Sequence, residues 1–241
     1  PRAVLAHHRI GRRLVSLHDH NERARVQEVT ARLGRGESLA LVTDAGTPLI
    51  SDPGYFLVRE VIGNGYRVVP VPGATALVAA LSAAGLPTDR FVFEGFLSAR
   101  RPGRLRQLEG LSTEERTLIF YESPRRLGAF LEDAVSVFGG ERRATLAREL
   151  TKVHETFHTG VLGDLLHGVT VGRIPSRGEF VVCIEGTVAG PVTEVPIQLH
   201  SLVQALISEV PVKSVVRIAH ELTGAKRNII YALALSLSEG E

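Results

Sequence analysis

The sequence predicts an α/β protein, and three observations carry that prediction. Short apolar runs recur, as at residues 39–42, 117–121 and 180–185, bounded by polar residues in the manner of buried strands. Segments of helical length, many closed by glycine, alternate with them. The composition, 44% hydrophobic and 22% charged over 241 residues, is that of a globular chain able to bury one large or two modest cores.

Charge and cysteine usage narrow the class. The net charge is only +2, yet 25 of the 28 basic residues are arginine, whose planar forks suit phosphate wherever they cluster. Cys183 is the single cysteine, which excludes an internal disulfide framework and fits a reducing compartment. No apolar run reaches the length of a membrane span and no signal peptide opens the chain, so no membrane partner and a cytoplasmic location are expected. Methionine is absent even at position 1, and the chain starts inside a helix-to-loop stretch, so it is expected to be incomplete.

In chain order, residues 2–10 read as the end of a helix stopping at Gly11, and 13–16 as a short strand. His18, Asp19 and His20 offer three potential metal ligands, but consecutive side chains diverge and no partner set stands at metal spacing. No metal is expected; with Asn21 they should line a cleft edge and cap a helix over 22–33 that closes at Gly34. A strand at 39–42 then runs into Asp44, Ala45, Gly46, Thr47 and Pro48, with Ser51, Asp52, Pro53 and Gly54 beyond. Glycine lets a backbone approach a ligand, proline fixes the path, and ligands bind outside the carboxyl ends of strands. Two acidic residues there suit a cationic or hydroxyl-rich ligand; their other meaning is a helix cap.

A helix over 54–62, a strand over 66–71 and a second small-residue loop, Pro72, Gly73, Ala74, Thr75 and Ala76, follow. That loop opens the helix 77–84, either offering N–H groups to a carboxylate or ribose hydroxyl or simply packing closely. Beyond the break at 85–87 the pattern changes to strands at 91–96, 117–121, 144–149, 154–159 and 180–185, with a helix ending near 138. This predicts a mixed α+β region with a boundary near 88. Arg100, Arg101, Arg104 and Arg106 form either a solvated helix face or, with Arg125, Arg126, Arg148 and Lys152, one phosphate-binding surface. Residues 186–196 read as a linker, and helices over 197–209, 212–222 and 227–237 form a tail whose Gly224 turn and Lys226-Arg227-Asn228 resemble a helix-turn-helix. The expected division is 1–88, an incomplete N-terminal α/β domain; 89–190, a second α+β domain; and 191–241, a C-terminal helical module.

Five motifs, LVTDAGTPLISDPG, VPVPGATALVAALSAAGLPTDRFVFEGFL, IFYESPRRL, ARELTKVHE and GEFVVCIEG, occur in that order. Together they resemble the bacterial small-subunit (16S) rRNA ribose 2′-O-methyltransferase family of the tetrapyrrole methylase superfamily, over residues 14–238. The resemblance implies a two-domain tetrapyrrole-methylase-like fold with a small C-terminal helical module, commonly a homodimer. It also implies S-adenosylmethionine bound between the domains, and methylation of a cytidine ribose 2′-hydroxyl in ribosomal small-subunit RNA. By motif, Asp44, Ala45, Gly46 and Pro48 border the cofactor, Ala74, Thr75 and Ala76 face them, and Phe120, Tyr121 and Leu150 close the pocket. The family opens with a strand and glycine loop not seen before Pro1, so the sheet is expected to lack its first strand and this chain to bind cofactor weakly.

Transfer of a sulfonium methyl to a ribose oxygen needs in-line alignment and an acceptor for the hydroxyl proton. Glu122 and Glu149, each at a strand end beside arginines, are the candidates; salt bridges to Arg125, Arg126 or Arg148 are their structural alternative. A small-molecule tetrapyrrole methylase and a non-catalytic RNA-binding assembly factor are the other two readings.

Overall fold

A computed structural model describes residues 2–18, 20–187 and 199–238. The chain separates into two compact units, Pro1–Thr187 and Val188–Glu241. The expected boundary near 88 falls inside the first unit; that between 190 and 191, most of the expected linker, and residues 197 and 198 of the expected tail helix lie outside the described residues.

The first unit opens with α1 (Arg2–His7), α2 (Glu22–Gly34), α3 (Tyr55–Gly63) and α4 (Ala76–Ala83). Residues 13–16, 39–42 and 66–71, expected as strands, join no ladder, so the described part of the first 88 residues contributes helices and loops rather than an α/β sheet. Apolar patterning supplies a face, but a strand is made by the neighbour that takes its N–H and C=O groups. The expected cap on α2 also differs. Asn21 makes no capping bond; its side chain accepts from the His18 N–H at 2.9 Å and donates to the Ser16 carbonyl at 3.1 Å, closing the preceding loop instead. Buried Glu22 joins α2 to α3 by accepting the Leu57 N–H at 2.9 Å.

From Phe91 onward the sequence reading holds closely. β1 (Phe91–Gly95), β2 (Thr117–Glu122), β3 (Arg143–Arg148), β4 (Thr156–Val161) and β5 (Phe180–Ile184) form one sheet in the order β1-β2-β5-β3-β4. Only β1 and β2 pair parallel. α5 (Arg101–Gly110), α6 (Leu127–Phe138) and α7 (Leu162–Thr170) complete the unit. α5 and α7 were hidden by glycine and proline. Pro102 sits in the first turn of α5, where its missing N–H costs nothing. Gly168 in α7 leaves room for Ile174, whose Cδ1 would lie 2.9 Å from an added Cβ.

Strand alternation sorts the core into two faces. Leu118, Phe120, Leu146, Val182 and Ile184 pack with Leu108, Phe130, Leu131 and Leu162 on the α5–α7 side. Ile119, Ala147, Val181 and Cys183 pack with Leu77, Ala80 and Leu81 of α4 and with Ala84 just after it on the other. Burial pushes the Cys183 thiol up to about 12, which keeps it an inert core residue.

The second unit comprises α8 (Leu199–Ile207), α9 (Val212–Thr223) and α10 (Arg227–Ser238), closed around Val203, Val215, Ala219, Ile230 and Ala234. Gly224 ends α9 in the left-handed conformation (φ 68°), and the turn is pinned by His220 Nδ1 to the Ala225 carbonyl at 2.8 Å and by Thr223 Oγ1 donating to the Ala219 carbonyl. Among the described residues no helix is long and apolar enough to cross a membrane.

Candidate functional site

The two small-residue loops named from sequence meet in the first unit. Thr47 Oγ1 donates to the Ala74 carbonyl at 3.2 Å, tying the loop before α3 to the one before α4. Gly46 (φ 72°), Leu49 (φ 73°), Ser51 (φ 57°) and Gly54 (φ 135°) all lie at positive φ. Leucine and serine resist that region, and such strain persists where surrounding structure holds it, commonly at binding sites. Open space lies where a Cβ on Gly46 would stand, so the backbone there is accessible to a ligand.

Tyr121, at the end of β2, anchors the opposite wall. Its hydroxyl accepts the Leu77 N–H at 3.2 Å, at the N-terminal end of α4. Burial raises its pKa, offset in part by that bond and by one to Thr75, so the phenol stays protonated. Its ring meets Phe93 edge-on at 4.9 Å and Phe96 at 5.6 Å. Leu150 packs into the same cluster from the loop after β3. Ser51 lies so close to Gly95 (φ 63°) that a Cβ there would stand 2.8 Å from its Oγ. The site is therefore a shallow cradle of loop backbone over an aromatic floor.

Among the cofactor candidates, Asp44, Ala45 and Gly46 are exposed on the first loop and Pro48 is half-buried, while Ala74, Thr75 and Ala76 form the second. Phe120 is placed differently: it is fully buried on the α5–α7 face, its ring 5.3 Å from Phe130, so only its backbone belongs to the cradle. Sequence reasoning named Ser51 on the loop but missed Leu49, Phe93 and Phe96 as residues of the site. The aromatic alternation of Phe91 and Phe93 along β1 was the available signal for Phe93; Phe96 lies beyond that strand and carried none.

The carboxylates separate. Glu122 points to the α5–α7 face, away from Tyr121, and is buried with Oε2 3.2 Å from Arg126 Nη2 and Oε1 accepting the Ser123 N–H at 2.7 Å. Burial raises its pKa, against the pull of the Ser123 N–H and of Arg126. A carboxyl that holds its proton more tightly when folded stabilises the fold fully below its unfolded pKa, and loses that contribution as pH rises through the folded value. Glu122→Gln should therefore melt progressively higher relative to the parent as pH rises above about 4.5. A Tm difference that stays flat with pH would sink this account.

Glu149 sits at positive φ (53°) on the loop after β3. Lys152 Nζ at 2.9 Å and the Glu179 N–H at 2.8 Å hold its pKa below the usual carboxylate range. A Cβ on Gly178 would collide with its carboxylate.

The arginines also divide. Arg104 is buried and paired to Asp133 at 2.7 Å, so it is not on the surface. Arg101 reaches the same Asp133 at 2.9 Å from an exposed position, and Arg100, Arg106 and Arg125 are exposed. Arg126 turns inward to Glu122 and to the carbonyls of Leu97 and Ser98. Arg148 donates to the Arg177 carbonyl at 2.6 Å, and Lys152 bridges Glu149 and Glu179. Arg148, His154, Ser176 and Arg177 border an open cleft of about 970 Å³. Among the described residues no three metal-ligating side chains gather; Asp19 lies outside them.

Comparison with known proteins bears on this arrangement. Residues 2–166 match the family described as Tetrapyrrole (Corrin/Porphyrin) Methylases, and residues 194–238 match the RsmI C-terminal HTH domain. The chain is 50% identical over 224 residues to a ribosomal RNA small subunit methyltransferase I of Pseudomonas aeruginosa, covering 92% of this chain and 79% of that protein. It is 47% identical to the Escherichia coli O157:H7 protein of the same name, covering 96% and 81%. Among solved structures, a diphthine synthase superposes with TM-score 0.53 at 16% identity, over 74% of this chain and 71% of that one. A cobalt precorrin-4 methyltransferase superposes at 0.51 and 16%, over 67% and 69%; at such identities the likeness shows the fold alone.

Proposed function

Since the chain belongs to the ribosomal RNA small subunit methyltransferase I family of tetrapyrrole methylases, we propose that it uses S-adenosylmethionine to methylate small-subunit ribosomal RNA, at a cytidine ribose 2′-hydroxyl. The observation that carries this reading at the site is the cradle itself: two small-residue loops, the first of them strained, tied by Thr47 and facing Tyr121 at the head of α4. The residues present fit the cofactor. Gly46 exposes backbone, residues 74–76 line the second loop, Asp44 supplies a carboxylate, and Tyr121, Phe93 and Leu150 offer an apolar, largely aromatic floor. When bound there, S-adenosylmethionine supplies a methyl group on a positively charged sulfur, open to in-line attack by a hydroxyl oxygen.

The chain's own residues then hold and orient. Exposed Arg100, Arg101 and Arg125, with the cleft bordered by Arg148 and Arg177, suit RNA phosphates; Lys152 extends that set. Glu149, kept ionised by Lys152 and the Glu179 N–H, is our assignment for the acceptor that orients the ribose hydroxyl. Glu122 serves Arg126 rather than the hydroxyl. A cytoplasmic location belongs to the same reading, supported by the ribosomal substrate it assigns. The homodimer belongs to the same reading, supported by apolar side chains left exposed at Val42, Val69, Val71 and Phe91.

The test is transfer of labelled methyl from S-adenosylmethionine to small-subunit particles and to free 16S RNA, with the product nucleoside identified and the chain's mass in solution recorded. Ribose-methylated cytidine is the expected product. Label on a base, or none beside measurable RNA binding, would remove the ribose assignment or leave an RNA-binding factor. Glu149→Gln with parental turnover would remove Glu149 from the chemistry.

A further inference from the structure

We propose that Arg126 is a positioning residue for methyl transfer, acting through the turn that follows β1; the proposal rests on the methyltransferase reading above. Arg126 Nη2 donates to the Leu97 carbonyl at 2.7 Å and to the Ser98 carbonyl at 3.3 Å. The same nitrogen lies 3.2 Å from Glu122 Oε2. That oxygen is buried and makes no hydrogen bond of its own; the Ser123 N–H on Oε1 and the guanidinium of Arg126, with Arg104 behind it, offset Glu122's charge, and Arg126 is the cation beside Oε2. The pair aims one guanidinium at two main-chain oxygens of a distant turn.

Three side chains project from that turn in useful directions. Leu97 plugs the core on the α5–α7 side. Phe96, 54% exposed, lies on the cradle side with its ring against Tyr121. Arg100, at the N-cap of α5, points to solvent on the surface assigned to RNA. A single grip on the backbone therefore sets both a ring on the cofactor side and a cation on the substrate side.

Two more restraints act on the same residue. The Ser98 N–H donates to Gln107 Oε1 at 2.8 Å. α5 also approaches so closely that a Cβ on Gly103 would stand 2.6 Å from Ser98 Oγ. A connecting loop normally tolerates slack, whereas reacting geometry does not: a displacement of about 1 Å can cost about a hundredfold in rate.

The test compares Arg126→Gln, the double variant Glu122→Gln with Arg126→Gln, and Phe96→Ala. Thermal midpoint, affinity for S-adenosylhomocysteine and kcat/KM on small-subunit particles are measured for each. Arg126→Gln alone strands a buried carboxylate, so stability and turnover should fall together. The double variant removes the stranded charge. Its stability should recover while kcat/KM stays about ten- to a hundredfold below the parent, and Phe96→Ala should lose turnover with its midpoint lowered by no more than about 6 °C. Turnover that returns with stability in the double variant would overturn the proposal, because Arg126 would then only balance Glu122. Parental turnover in Phe96→Ala would overturn it too. A parent that binds no S-adenosylhomocysteine and methylates nothing overturns the methyltransferase reading and this proposal with it.

Discussion

Asp133→Ala is expected to lower folding stability by about 3–5 kcal/mol, the range for removing one partner of a buried ion pair. Asp133 lies on α6 with its side chain 1% exposed, and it receives Arg104 Nε at 2.8 Å and Arg104 Nη2 at 2.7 Å. Arg104 is itself 5% exposed, so without the carboxylate its charge stays in the core between α5 and α6. Arg101, bonded to the other oxygen, is exposed and can turn to water. At about 2–4 °C per kcal/mol for a chain of this size, the melting midpoint should fall by about 6–20 °C. Replacing the pair together, Arg104→Met with Asp133→Leu, should recover most of the loss, since apolar residues of similar volume substitute well for buried ion pairs. A single variant that melts within about 2 °C of the parent would mean that Arg104 finds water or another partner.

Tyr121→Ala should weaken binding of S-adenosylhomocysteine by about a hundredfold. The hydroxyl bond to the Leu77 N–H contributes about 0.5–1.5 kcal/mol, and each edge contact, to Phe93 and to Phe96, a similar amount. Together these come to about 2–4 kcal/mol of cradle organisation, at about 1.4 kcal/mol for each tenfold in affinity. Tyr121→Phe isolates the hydroxyl and should cost less than about tenfold. Calorimetric titration of both variants decides the matter. Parental affinity in Tyr121→Ala would move the cofactor away from this cradle, whatever the fate of the family's chemistry.

Much of the fold was legible before any coordinates. β1 through β5, α6, α9 and α10 lie within two residues of their sequence-based ends, because apolar period and glycine stops are local signals. The segments at 13–16, 39–42 and 66–71 carry the same kind of signal but find no ladder, since pairing is a property of two segments and pattern of one. The site was legible as loops and not as walls. Residues 44–48 and 74–76 stood out by composition, whereas Phe93 and Phe96 looked like ordinary strand and loop residues. The carboxylates were legible only as candidates: Glu122 and Tyr121 are neighbours in sequence and face opposite sides of the sheet.

By itself the sequence determined the class of fold, the order of its motifs and the family they mark, because those depend on residue types and spacings along the chain. Only the tertiary structure decided which charges remain available. Arg100 and Arg104 read as equals in one basic run, yet Arg104 meets Asp133 across 29 residues while Arg100 stays in water. Arg126 is turned from a surface cation into a clamp on the Leu97 and Ser98 carbonyls by a glutamate buried four residues before it, at the end of β2. The physical reason is common to all three: a charge has its meaning from what lies within a few ångströms of it, and folding chooses those neighbours.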